Sequence, residues 1–201
     1  MKKRIIISVL SAFVLVLSVS LAARSETTAA TAKKLYIDYI NENPGSEPDI
    51  SRYSLVYIND DDVPELLIDF GFSFEGNHLC TVADGDLEVV SFSQGGLLYF
   101  ERKNLFVLSG GRMDNFYDNV YRIQNGRFVR LHNGEYGAED NANVQLDAEG
   151  DPIYRYYWDG KEVSKRDYER LLNSVFDVAN ATDPYVNGYS AREIISKILD
   201  L

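Results

Sequence analysis

The amino-acid sequence predicts an α+β fold, an antiparallel meander of about eight to ten strands with one helix before it and two after it, all three packed on the sheet. Three observations predict it. Apolar residues recur at helical spacing only near the two ends of the chain. Between those ends, over about eighty residues, lie short runs of alternating or apolar residues, each bounded by turn chemistry such as Asp84-Gly85 or Asn125-Gly126. The runs follow one another too closely for the long crossovers that parallel strands need, so neighbours must pair antiparallel.

The chain begins with Lys2, Lys3 and Arg4 ahead of an unbroken apolar and small-residue stretch from Ile5 to Ala23, the layout of a secretory signal. Residues 1–23 are therefore expected to be a signal peptide, residues 24–32 a linker and residues 33–201 a single α+β domain. Leu21-Ala22-Ala23 suits cleavage after Ala23, and Ala30-Thr31-Ala32 offers a second site. The alternative is an uncleaved anchor, because the stretch approaches the ~20 residues that span a bilayer. The expected destination is the cell surface or the medium, with no membrane contact after cleavage.

Cys80 is the only cysteine, so no intramolecular disulfide can form even in an oxidising compartment. Stability must come from packing or a bound ion, and an exported portion of about 180 residues is long enough to bury ~70% of its unfolded surface. The chain has 20 basic and 31 acidic residues; loss of Lys2, Lys3 and Arg4 leaves 17 against 31, a net charge of −14. Such a balance argues against nucleic acid or an anionic membrane as partner. It is compatible with cations, or with solubility alone.

The first helix is read from Ala32, Leu35, Tyr36, Tyr39 and Ile40, which form one apolar stripe. It should end near Asn43, since Pro44-Gly45 cannot continue it. Next come two runs, Tyr53 to Ile58 and Leu66 to Phe70, rich in aromatic and aliphatic residues and separated by Asn59-Asp60-Asp61-Asp62 and Pro64. They read as a hairpin with an acidic tip, because short Asn and Asp side chains bond nearby backbone and Pro fixes φ. Leu79–Ala83 and Leu87–Phe92 flank Asp84-Gly85, Leu97–Glu101 and Leu105–Ser109 flank residues 102–104, and Phe116–Ile123 and Arg127–Leu131 flank Asn125-Gly126. Residues 133–143 read as a long acidic loop, after which Val144–Leu146 and Ile153–Trp158 flank a turn at residues 149–152. Ser164 is placed to cap a helix carrying Tyr168, Leu171, Leu172, Val175, Phe176 and Ala179, and Ser190 with Glu193 forms a capping box ahead of Ile194, Ile195, Ile198 and Leu199.

Two stretches carry candidate chemistry. Asn59, Asp61 and Glu65 are candidate calcium ligands, since calcium takes six to eight oxygens at about 2.3–2.6 Å and a loop of alternating carboxylates can supply most of them. The other reading of the same residues is a solvated acidic turn. Tyr154, Tyr156 and Trp158 alternate and so share one face of a strand. Exposed, they would form a ligand-binding row that stacks on sugar rings; buried, they would line the core beneath a helix.

The acidic hairpin resembles the Asp-x-Asp-x-Asp-Gly-x-x-Glu-Leu turn of calcium-binding repeats in extracellular bacterial proteins and of FG-GAP-like propeller repeats. Aligned on Pro64-Glu65-Leu66, it has Tyr57 at the first acidic position and Asp62 at the turn glycine. With residues 109–113, the Asn125-Gly126 hairpin and Trp158-Asp159-Gly160 leading to Tyr168, the chain also resembles uncharacterised secreted or surface proteins of Firmicutes, especially gut clostridia. That resemblance implies export and no particular activity.

Nucleophilic catalysis has little to work with: His78 and His132 are the only neutral-pH bases, no Gly-x-Ser-x-Gly elbow occurs, and Cys80 falls mid-strand. The expectation is a secreted binding or interaction domain without catalytic activity, its partner a cell-surface glycan or a protein, with calcium as a candidate stabilising ion. The alternative is an extracytoplasmic hydrolase directed at glycans or the cell wall through paired carboxylates.

Overall fold

The computed structural model describes residues 29–72, 74–92 and 95–201. The expected signal peptide and residues 24–28 of the expected linker therefore lie outside the described residues. Helix α1 covers residues 29–42, so its first turn occupies part of the stretch expected to be linker. Alanines at 29, 30 and 32 favour it, and Ala32 is wholly buried.

Among the described residues ten strands follow in hairpin order, and the meander divides into two antiparallel sheets instead of forming one. The first contains β1 (Arg52–Val56), β2 (Glu65–Asp69), β3 (Asn77–Ala83) and β4 (Asp86–Phe92). The second contains β5 (Gly96–Phe100), β6 (Leu105–Arg112), β7 (Asn115–Gln124), β8 (Arg127–Gly137), β9 (Arg155–Trp158) and β10 (Lys161–Val163). Asp84-Gly85 and Asn125-Gly126 adopt positive φ at both central positions, as the sequence predicts for tight hairpins. So do Asp159-Gly160, which create β10, and Met113-Asp114, which join β6 to β7 without any glycine.

Three segments differ from expectation. The helix expected to reach Ala179 stops at Val175, where Phe176 turns extended, and Ala179 falls in a separate 3₁₀ turn. Residues 133–137 extend β8 instead of opening the long loop, because Tyr136 pairs with Tyr156 and joins the packed face of the sheet, a signal masked by its polar neighbours. Val144–Leu146 and Ile153 form no strand; Leu146 makes only an isolated bridge to Pro152.

Alternation along the strands sorts the core into three interfaces, and the layers run helix, sheet, sheet, helix. On one side of the first sheet, Leu66, Ile68, Phe70 and Cys80 meet Tyr36 and Ile40 of α1 and Ile194 and Ile198 of helix α3 (Ala191–Leu199). Its other side presents Leu67, Leu79 and Phe92 to Leu97, Phe106 and Leu108 of the second sheet. The outer side of the second sheet, with Val107, Val120 and Trp158, is covered by Tyr168 of helix α2 (Lys165–Val175) and by Phe176 just beyond it. Stacking the sheets buries an inner face that one ten-strand sheet would leave wet. Helix α2 is capped by Ser164, and α3 has the expected capping box between Ser190 and Glu193.

A short segment of two 3₁₀ turns, Val178–Asn180 and Pro184–Asn187, joins α2 to α3 and stitches both sheets at their edges. Thr182 bridges Tyr99 of β5 and Tyr189 bridges Tyr53 of β1, so one strap closes that side of the sandwich. Among the described residues no helix is long and apolar enough to cross a membrane.

Candidate functional site

The acidic tip spans residues 57–64 between β1 and β2. Asp61 accepts the Val63 N–H at 2.9 Å and the Asn59 side-chain amide at 2.8 Å, while Asn59 Oδ1 accepts the Asp61 N–H at 3.0 Å. These are the local side-chain bonds that make Asn and Asp turn formers. Glu65 behaves differently. It is 1% exposed and shares the inner face of β2 with Leu67, so its carboxyl enters the layer between the sheets. There Oε2 accepts the Ile58 N–H at 3.0 Å and Oε1 accepts the Thr81 hydroxyl at 3.4 Å. The Tyr36 hydroxyl fixes the preceding residue by donating to the Pro64 carbonyl at 2.9 Å. Burial pushes the Glu65 carboxyl up to about 8, which keeps it protonated at neutral pH. Of the three candidate calcium ligands, Asn59 and Asp61 are thus joined at the tip and Glu65 is turned into the core. Among the described residues no group of three His, Cys, Asp or Glu side chains is arranged to hold a metal.

On β9, Tyr156 and Trp158 face α2, and Trp158 is only 7% exposed. Their rings pack edge-on against Tyr168. Tyr156, Tyr136 and Phe116 form a near-parallel stack across β9, β8 and β7, with successive centroids 5.4 and 5.1 Å apart. Stacked in this way, the rings spend their faces on one another, so little flat aromatic surface remains for a sugar. Tyr154 precedes the strand, touches Phe116 and Tyr136, and donates to Asp114 at 2.6 Å, a bond that pushes its phenol up to about 12. Beneath α2, the Tyr168 hydroxyl donates to Asp118 Oδ2 at 2.7 Å and Ser109 donates to Oδ1 at 2.6 Å. Gly134 lies opposite Asp118 and makes room for that phenol, since a Cβ there would come within 2.5 Å of the hydroxyl.

The remaining bases are tied into the fold. His78 bonds the Tyr39 hydroxyl at 2.8 Å and lies edge-on to Phe70, and its burial lowers its proton affinity. His132 bonds Asp159 at 2.9 Å and stacks on Trp158. Cys80 is fully buried, which pushes its thiol well above the usual range.

A cleft of about 340 Å³ opens where the layer between the sheets reaches the surface. It is lined by Asp69, Phe72, Asn77 and Tyr185, the rest of its wall being four glycines that include Gly95 and Gly96. Asp69 and Asn77 are paired neighbours at the ends of β2 and β3, on the same inner face as Leu67 and Leu79. Gly95 is required by the crossing from one sheet to the other, because a Cβ there would meet the Ser109 carbonyl at 1.5 Å. Tyr185 arrives from the strap. Its hydroxyl accepts the Leu97 N–H and the Asn77 side-chain N–H, each at 3.2 Å. A phenol oxygen saturated by two donors must direct its own hydrogen elsewhere, and among the described residues that hydrogen has no acceptor. Asp69 Oδ1 takes the Gly71 N–H at 2.8 Å, while its other oxygen has no bonded partner among the described residues. Burial pushes the Tyr185 phenol well above its ordinary range, so it acts as a donor and not as an anion.

None of Asp69, Phe72, Asn77 and Tyr185 is marked by a motif. Two signals in the sequence bear on the cleft: the polar residues that end the apolar runs of β2 and β3, and the Gly95-Gly96 pair between two hairpins. The cleft has a single carboxylate among its described lining residues, one fewer than glycoside hydrolysis uses. Comparison with protein-family models, with curated proteins and with solved structures finds no match to this chain.

Proposed function

We propose that this chain is an exported binding domain, secreted or held at the cell surface, and that its ligand site is the cleft between the two sheets. The observation that carries the reading is the pair of uncommitted hydrogen-bonding groups in that cleft, the Tyr185 hydroxyl hydrogen and one oxygen of Asp69. Polar groups at the mouth of an apolar layer carry a cost unless water or a ligand completes them. A cleft of this size lies at the small end of the range for small-molecule sites, about 300–1,000 Å³. Export is supported by Lys2-Lys3-Arg4 and the apolar stretch after them, and a binding role by side chains whose bases and thiol are already engaged in packing.

The acidic tip, in this reading, is a turn closed by its own Asn59 and Asp61 bonds, with calcium as the ion to test against it. The cleft is tested by nuclear magnetic resonance with a mixed set of small neutral, cationic and anionic polar compounds. The Leu97 amide and the Asn77 side-chain amide are the reporters, since both bond Tyr185. Binding moves these two signals first. A set that leaves both unmoved at millimolar concentration removes the cleft as a ligand site.

A further inference from the structure

Resting on the cleft as the ligand site, we infer that its ligand class is a neutral polyhydroxylated compound, a saccharide unit, bound through Asp69, Tyr185 and Phe72. The inference rests on complementary hydrogen-bond chemistry. Asp69 can only accept, so it requires an O–H or N–H from the ligand. Tyr185, with both acceptor positions filled by Leu97 and Asn77, can only donate, so it requires a ligand oxygen. An ammonium group satisfies the first and not the second. A phosphate or carboxylate satisfies the second and is repelled by the first, with no Lys, Arg or His among the described lining residues to offset that repulsion. A hydroxyl group donates and accepts at once, and adjacent hydroxyls meet both demands within one small ring.

The apolar side of such a ring also has a place. Phe72 lines the cleft half-buried, stacked against the exposed Phe74 at 5.2 Å between centroids. With one face spent on Phe74, the ring gives the C–H side of a pyranose an apolar wall and not a stacking platform, while the hydroxyl edge turns to Asp69. The glycine wall adds no bulk that would exclude a ring, and Gly96 in particular meets no side chain closer than Tyr185 Cε2 at 3.9 Å. The chain's net charge of −11 works in the same direction, lowering the local concentration of anions and leaving neutral ligands unaffected.

The test is calorimetric titration of the folded domain with neutral monosaccharides and disaccharides, with glucosamine as the cationic analogue and glucose 6-phosphate and glucuronate as the anionic ones. The same compounds are then followed at the Leu97 and Asn77 amide signals. A neutral saccharide should bind, with the anionic analogues weaker by about tenfold or more. Asp69→Asn keeps the side chain's shape and the Gly71 bond while removing the charge, and should weaken binding by a similar factor. Gly96→Ala serves as the second variant: its added methyl clashes with nothing but narrows the cleft, so it should lower affinity with the melting temperature preserved. Preference for the amine or for an anion, with the two amide signals moving, overturns the saccharide class and leaves the cleft standing. Saccharide binding that is indifferent to both substitutions, or that leaves those signals still, overturns the assignment to this cleft. No response to any compound removes the site itself.

Discussion

Glu65→Gln should stabilise the protein at neutral and alkaline pH and leave it nearly unchanged in acid. In the folded chain the carboxyl lies between the sheets, with Ile58 N–H and the Thr81 hydroxyl as its partners, desolvated by burial and with the Asp61 carboxylate nearby disfavouring its ionisation further. Its proton is held until about pH 8, against 4.5 for the free side chain. Between those values the unfolded chain has lost a proton that the folded chain retains, so stability falls as pH rises. Each pH step across the window removes about 1.4 kcal/mol. The loss is roughly 3 kcal/mol at pH 7 and nears 5 kcal/mol above pH 8. These are upper limits, because a buried site relaxes or admits water when charged.

Glutamine keeps an oxygen for Ile58 and an N–H₂ for the Thr81 hydroxyl oxygen, and it never ionises. The variant should therefore gain up to roughly 6–12 °C in melting temperature at pH 7, taking about 2–4 °C per kcal/mol for a chain of this size. At pH 4.5 the gain should shrink towards zero. His78, whose burial lowers its proton affinity, acts in the opposite sense: it removes stability as pH falls through the range where the unfolded imidazole takes up a proton. That contribution is common to both proteins, so the difference between their melting curves across pH 4.5 to 9 isolates Glu65. Parallel curves, or a glutamine variant less stable at every pH, would refute a protonated carboxyl in this layer.

Three further outcomes follow from the geometry. Gly134→Ala should cost about 2–3 kcal/mol, since its Cβ would press on the Tyr168 hydroxyl at 2.5 Å and the Asp118 carbonyl at 2.9 Å; in a double-mutant cycle with Tyr168→Phe the two losses should fall short of adding by about 1 kcal/mol, and strict additivity would separate the two positions. Met113→Asn should add about 1 kcal/mol of stability, because Met113 is 79% exposed at φ 52° in a left-handed turn that Asn enters more readily; chemical denaturation reads the gain directly. Calcium at millimolar concentration should leave the melting temperature in place, because Glu65 is protonated inside the core and the Asn59 and Asp61 oxygens already close the turn. A rise of several degrees would mean that the ion reorganises residues 57–65 into a site.

The elements whose signals are local were legible in the sequence. Ser164 and Ser190 cap their helices because an N-cap needs only its own first turn. Asp84-Gly85 and Asn125-Gly126 turn because positive φ is decided by two residues. Features set by the partner across the sheet were less legible. Residues 133–137 look like loop until Tyr136 is seen beside Tyr156, and the Met113-Asp114 turn lacks the glycine that usually marks it. The candidate sites divide the same way. That Asn59 and Asp61 form a turn follows from their chemistry, whereas the inward direction of Glu65 and the burial of Trp158 depend on which face of each strand the second sheet or α2 covers.

The alternation that hides Glu65 also explains why the open cleft lies where it does. Glu65, Leu67 and Asp69 share one face of β2, and Thr81, Leu79 and Asn77 share the facing side of β3, with Leu67 against Leu79 and Asp69 against Asn77. The inner layer is therefore apolar in the middle and polar at both ends. At the Glu65 end, Pro64 and Ile58 are buried around it and the carboxyl is neutral, sealed by a backbone N–H and a hydroxyl. At the Asp69 end the chain crosses between sheets through Gly95 and Gly96, which carry no side chains to seal it, and Tyr185 enters from the strap with its hydrogen unspent. Two carboxyls on one face thus meet opposite conditions, one desolvated with its bonds complete, the other half-exposed with a bond to offer. If β2 were paired one residue out of register with β1 and β3, its inner stripe would become the outer one and both assignments would fail together. A pH-independent Glu65→Gln difference and an inert Asp69→Asn would then be the paired signature of that error.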